Sequence, residues 1–208
     1  GDYLPTRRLS PSFLPSDTAL IANLEAAIAS SPPTQDKAYP ICMTEEAVIT
    51  LAFSGVAAVS LANNHVGDAG EMAVKQMADR IRSDTKVIVY GLRDCPFAEL
   101  LVQGLRCAVV GCLEPCRARG QSIFRQEDVC ALLDGIRSRY DRIFVTPHWG
   151  KEGEYAYHPS PAQVKMAVKW IHSGAHAVLG HHTHTFHGRQ TVGGRPVFYS
   201  LGNLCFDH

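Results

Sequence analysis

Two hundred and eight residues, 46% hydrophobic, 19% charged and 8% aromatic, suit a folded globular domain and exclude disordered, collagen-like and disulfide-framework chains. Twenty Lys and Arg balance twenty Asp and Glu, so no global field gathers a long nucleic acid or an anionic membrane, and any anion recognition has to be local. The longest weakly polar stretch, 48–62, is interrupted by Thr50, Ser54, Gly55 and Ser60 and falls short of the roughly 20 residues of a membrane-spanning helix.

Short apolar runs alternate with amphipathic segments, which predicts an α/β or α+β layered domain. In chain order, strands are expected over 19–24, 56–61, 86–90, 107–112, 142–146, 177–179 and 196–200. Helices are expected over 45–53, 70–82, 126–140 and 161–173. The last helix carries a full set of end signals: Ser160 to cap, Pro161 for the first turn, Gln163 to complete a capping box, and Gly174 for a left-handed stop. Pro32-Pro33 and the segment 114–121 read as loops, and Gly193-Gly194 between two short runs reads as a hairpin turn. With no internal repeat, residues 1–208 are expected to form one domain.

The seven cysteines, at 42, 95, 107, 112, 116, 130 and 205, are odd in number and lack a paired CxxC, so free thiols of a reducing compartment are expected. That favours a cytoplasmic location. The first residue is Gly1, not Met, and the cell envelope stays open if a signal or anchor has been removed.

The polar residues that carry chemistry follow the expected strands and avoid the helix faces. Glu25 closes one strand, Asn63-Asn64-His65 follows a second, His148-Trp149-Gly150 a third, and Gly180-His181-His182-Thr183-His184 a fourth. Loops converge at the carboxyl ends of strands in layered sheets, so these four ends are expected to meet in one cleft. Five of the ten histidines fall between His176 and His187, and imidazoles beside carboxylate and amide oxygens suit divalent Mn, Fe, Zn or Co, as one ion or two.

The ordered blocks Asn23-Leu24-Glu25, Ser60 to His65 with Gly67-Asp68-Ala69-Gly70, His148-Trp149-Gly150, Ser173-Gly174-Ala175, Gly180 to His184 and Tyr199 to Asn203 resemble the successive motifs of the CapA family. These are the poly-gamma-glutamate capsule synthesis proteins, whose domain is similar to calcineurin-like metallophosphoesterases. The resemblance implies an α/β fold, a four-layer α/β/β/α sandwich of the metallophosphoesterase type, with metals at the strand ends. Asp2 and His184 would hold one ion, Asn64, His148 and His182 the other, and Glu25 would bridge them. It implies a phosphoesterase-like hydrolase in which a metal-activated water attacks while His65 protonates the leaving group. The alternative is a non-catalytic or accessory role in making or exporting the anionic polymer. The substrate would be a small or polymeric phosphoester or another anion.

Three departures set this chain apart: Leu4 stands where the wider superfamily has histidine, Glu25 where it has aspartate, and His181 where it has glycine. Arg7 is expected either to reach a phosphate or carboxylate or to be a solvated surface group. Asp68 either orients His65 or, the reading slightly favoured, caps the helix of 70–82. Trp149 and Tyr155 either wall the substrate or pack in the core, and Asn203 is a candidate partner of a metal ligand.

Overall fold

The computed structural model describes residues 1–4, 17–28, 40–115, 121–150 and 158–205, the side chain of Cys205 excepted. In chain order the elements are β1 (Asp2–Tyr3), β2 (Leu20–Leu24), β3 (Ala27–Ile28), β4 (Cys42–Met43), α1 (Glu45–Ala52), β5 (Val56–Ser60), α2 (Glu71–Asp84), β6 (Ile88–Tyr90), β7 (Phe97–Val102) and β8 (Leu105–Leu113). They continue with α3 (Val129–Ile136), β9 (Arg142–His148), α4 (Pro161–His172), β10 (Ala177–Leu179), β11 (Arg189–Val192), β12 (Arg195–Phe198) and β13 (Asn203–Cys205).

Two sheets carry the fold. The first runs β13-β1-β2-β5-β6 and the second β11-β12-β10-β9-β8-β7. All four pairings of the first sheet are parallel. The second is parallel at its centre, with antiparallel β7 and β11 at its edges. Central strands buried on both faces read as continuous apolar runs, and β8 accordingly buries seven consecutive residues, Cys107 to Leu113.

Three apolar clusters fix the layer order. In α2, Val74, Met77, Ala78 and Ile81 recur at helical spacing and share a cluster with Val59 and Val89 of the first sheet and with Leu61 just beyond β5. In α3 and α4, Val129, Leu133, Ala167, Trp170 and Ile171 pack with Val110, Val145 and Val178 of the second. Between the sheets lies a smaller cluster of Ala58, Tyr90, Ala98 and Val109. Helices therefore cover the outer face of each sheet, giving a four-layer α/β/β/α arrangement.

The sheets approach closely at one point. A Cβ on Gly111 of β8 would lie 2.7 Å from Ser60 Oγ and 3.0 Å from Gly91 Cα. Nearby, Thr146 donates to the Val110 carbonyl at 3.1 Å, and Tyr90 Oη lies 3.3 Å from the same threonine oxygen.

The capping box of Ser160 and Gln163 forms, with Pro161 opening α4 and Gly174 at φ +119° after it. The Gly193-Gly194 hairpin also forms, with β11 antiparallel to β12. Two expectations are corrected. Residues 126–140 are not one helix: a 3-10 turn, Gln126–Asp128, leads into a shorter α3. Asp68 does not cap α2, whose N-cap is Gly70 at φ +95° with no side-chain cap. Strand β7 is an addition, its mixed FAELLV sequence giving no clean alternation. Cys95, Cys107, Cys112 and Cys130 are free thiols.

The contrast between two glycines is measurable by thermal denaturation. Gly111→Ala is expected to destabilise the domain by about 1–3 kcal/mol through overpacking. Gly135→Ala, at an exposed position of α3 where the added Cβ meets nothing within 4 Å, is expected to stabilise it by roughly 0.5–1 kcal/mol.

Candidate metal centre

Strand register sets the first half of the site. Asn203, Asp2, Asn23, Ser60 and Tyr90 are successive partners across β13, β1, β2, β5 and β6, so their side chains leave the sheet in one row. Side chains alternate along a strand, so Glu25, two residues beyond Asn23, follows on the same side. The second sheet supplies His148 as the last residue of β9 and the turn of residues 180–184 after β10. An isolated bridge between His148 and His181 ties these two segments together.

Asp2, Glu25, His148 and His182 are each no more than 1% exposed. Their donor atoms converge into two groups that could hold a metal ion, Glu25–His148–His182 and Asp2–Glu25–His184, each with donor atoms within 4.8 Å of one another. Glu25 belongs to both. Its Oε1 lies 3.4 Å from His148 Nε2 and 3.8 Å from His184 Nε2. Asn64 Oδ1 lies 2.6 Å from the same His148 Nε2, which puts an amide oxygen beside the first group. The His148 and His182 ring centroids are 4.4 Å apart.

Electrostatics drives several of these groups toward neutrality. Burial pushes the Asp2 carboxyl above its ordinary range, against the lowering influence of Asn23, His184 and the His182 amide. Burial first, then the neighbouring histidines, holds His148 well below the usual imidazole value, and burial does the same to His181. A neutral imidazole has a lone pair for a metal, and a buried carboxylate is stabilised by a cation. The mixed N/O donor set suits a divalent cation.

The histidine turn is strained into place. His182 and His184 adopt φ of +102° and +58°, a region that costs a non-glycine residue about 1–3 kcal/mol and clusters at functional sites. The turn at His182 aims its amide N–H at Asp2 Oδ2, 3.1 Å away, while His184 Nδ1 lies 2.9 Å from Asn203 Oδ1. Gly180 allows the entry: a Cβ there would lie 2.1 Å from the Tyr199 carbonyl oxygen and 2.7 Å from Trp149 Nε1.

His65 sits beside Asn64, with its Nδ1 2.7 Å from Asp68 Oδ2. The same carboxylate oxygen accepts from the Ile41 amide at 2.9 Å. Asp68 is thus engaged by His65 and Ile41, which explains why it does not cap α2. Trp149 belongs to the outer core: it is 1% exposed, stacks on Trp170 and Tyr199, and donates to the Tyr199 carbonyl at 2.9 Å. Arg7 and Tyr155 lie outside the described residues.

The structure therefore brings together Asp2, Glu25, Asn64, His148, His182 and His184, and places the His65–Asp68 pair next to them in the chain. Two asparagines, named in the sequence blocks, were given no role there. Asn23 Nδ2 lies 2.8 Å from Asp2 Oδ1 and 3.2 Å from His148 Nδ1. Asn63 donates to the Leu24 carbonyl at 2.8 Å, and its oxygen accepts from the amides of His65 and Val66. The period-2 relation of Asn23 to Glu25 was the available signal for the first.

The family profile described as bacterial capsule synthesis protein PGA_cap matches residues 5–208. The chain belongs to this family. Among relatives, it is similar to the capsule biosynthesis protein CapA of Bacillus anthracis, 27% identical over 197 residues, covering 83% of this chain and 45% of that protein. It is also similar to the PGA biosynthesis protein CapA of Bacillus subtilis strain 168, 26% identical over 188 residues, covering 83% of this chain and 48% of that protein. The chain thus spans just under half the length of these PGA_cap relatives.

Solved structures with a similar fold include a phosphatase from Mycoplasma pneumoniae, with a TM-score of 0.59 at 11% identity, covering 88% of this chain and 60% of that one. Another is a 5'-nucleotidase precursor from Thermus thermophilus, with a TM-score of 0.54 at 18% identity, covering 74% of this chain and 34% of that one. No helix among the described residues is long and apolar enough to cross a membrane.

Gly180→Ala tests the packing behind the turn. It is expected to lower the thermal midpoint and to cut divalent-metal affinity, measured by titration calorimetry, because the turn that presents His182 and His184 has to shift.

Proposed function

We infer that this domain is a metal-dependent phosphoester hydrolase whose two cation positions share Glu25. The observation that carries the reading is the pair of buried ligand groups with one carboxylate in common. In this reading Glu25, His148, His182 and the Asn64 oxygen hold one ion, and Asp2, Glu25 and His184 hold the other. Divalent ions held this way supply a water acidified toward neutral pH and offset negative charge on phosphoryl oxygens.

The chain's own residues do the rest. Asp2 and Glu25 fix the charge of the pocket, and the second sheet presents two imidazoles from a turn that Asp2 anchors. His65 is the proton donor to the leaving-group oxygen. Asp68 engages Nδ1 and holds the ring orientation, leaving Nε2 as the atom from which the proton passes. Arg7 is assigned to an anionic group of the substrate. The substrate class is a small or polymeric phosphoester.

A second reading, favoured by the names of the two CapA relatives, is an accessory role in capsule polymer synthesis or export, in which the metal cleft binds carboxylates without turnover.

The two readings separate in one experiment. The chain is loaded with Mn, its metal content measured, and hydrolysis of bis(p-nitrophenyl) phosphate followed. The hydrolase reading expects turnover that falls by roughly 10²–10⁴-fold in His65→Ala with metal retained, and by roughly 10–100-fold in Asp68→Asn. Bound metal with no turnover of any phosphoester by the unaltered chain contradicts it and supports the accessory role.

A further inference from the structure

We propose that Arg125 is a substrate-binding residue that takes a second anionic group, a carboxylate or a phosphate, carried on the leaving-group side of the phosphoester. The proposal rests on the hydrolase reading above. Arg125 owes its place to register. Leu113 at the end of β8 pairs with His148 at the end of β9, and on its other side Leu113 bridges to Arg125 in parallel sense. Laterally paired residues send their side chains to one face of a sheet, so Arg125 leaves the second sheet on the same face as Leu113 and His148. Alternation in the short run 123–125 agrees: Ile123 belongs to the cluster of the first sheet and Phe124 to the helix-side cluster of the second, which returns Arg125 to the side of Ile123.

That face is the one on which His148 meets Glu25 and Asn64. The run is pinned there by the Phe124 amide on the Gly91 carbonyl and the Leu113 amide on the Phe124 carbonyl, both at 3.0 Å. Gly91 directly follows β6, and β6 borders β5, after which His65 stands. Arg125 is therefore on the His65 side of the metal centre, two strand spacings or about 9–10 Å of backbone from His148, and it is partly exposed. His65, as the proton donor, marks the side on which the leaving oxygen departs, so a cation there meets the leaving group. Of the nearby acids, Glu114 accepts the Gly150 amide at 3.1 Å, and Glu127 acts on Cys112, on the helix side of β8. A guanidinium fork pairs bidentately with carboxylate or phosphate oxygens. The substrate class narrows to phosphoesters whose leaving group carries its own anion.

The test measures binding, so it does not depend on turnover. The Mn-loaded 208-residue chain and Arg125→Gln are titrated by calorimetry with benzylphosphonate, which resists hydrolysis, and with its 4-carboxy and 4-phosphono derivatives. Thermal midpoint and Mn content report folding and loading. The expected result is that the unaltered chain prefers one or both derivatives to benzylphosphonate by roughly 10-fold, and that the preference falls to about 1 in Arg125→Gln. The two derivatives tell a carboxylate site from a phosphate one. Arg125→Lys, which keeps the charge without the fork, is expected to retain part of the preference. If Arg125→Gln does not fold, Arg125→Met is measured by the same criteria. An unaltered chain that binds the three compounds alike or binds none of them, or a folded variant that keeps the preference, overturns the proposal and leaves the hydrolase reading standing. An Arg125-dependent preference in a chain that turns over no phosphoester supports the anion site and contradicts the hydrolase reading.

Discussion

Two carboxylates buried at the junction of two sheets constrain everything around them. Asp2 and Glu25 are fully shielded from solvent, and a buried anion is costly unless paired, hydrogen-bonded or bound to a cation. The partners supplied are amides and imidazoles, and burial holds His148 and His181 toward their neutral forms. The pocket therefore gathers negative charge and lone pairs toward one point, an arrangement that a divalent cation satisfies and a packed apolar core does not.

The rest of the fold can be traced to the need to hold that arrangement. Parallel pairing sets Asp2, Asn23 and Asn203 in one row, and the glycine contact at Gly111 lets the second sheet come near enough for His148 and the histidine turn to face them. Left-handed conformations at His182 and His184 persist because both sides of the turn are tied: His182 through its amide to Asp2, and His184 through its ring to Asn203. Local strain and long-range hydrogen bonds thus support the same geometry.

Much of this was legible in the sequence where the signal is local. The capping box at Ser160, the stop at Gly174 and the glycine hairpin each depend on neighbours a few residues away, and the structure reproduces them. Strands β1, β3, β4 and β13 have only two or three residues, too few for a period to show, and exist through pairing with distant segments. The histidine and asparagine blocks were visible as polar strand ends. What the sequence could not show was which donor meets which acceptor: Asp68 looked like a helix cap until the Ile41 amide, 27 positions away, and His65 were seen to engage its carboxylate. Asn23 likewise takes its meaning from His148, 125 positions away.

The shared-carboxylate centre is tested most directly by crystals of this chain grown with Mn and measured at wavelengths on either side of the Mn absorption edge. The account predicts two anomalous peaks flanking Glu25, about 3.5–4 Å apart, one against His148 and His182 and the other against Asp2 and His184. Density showing these side chains hydrogen-bonded only to one another or to water, with no anomalous peak among them at saturating Mn, would contradict it.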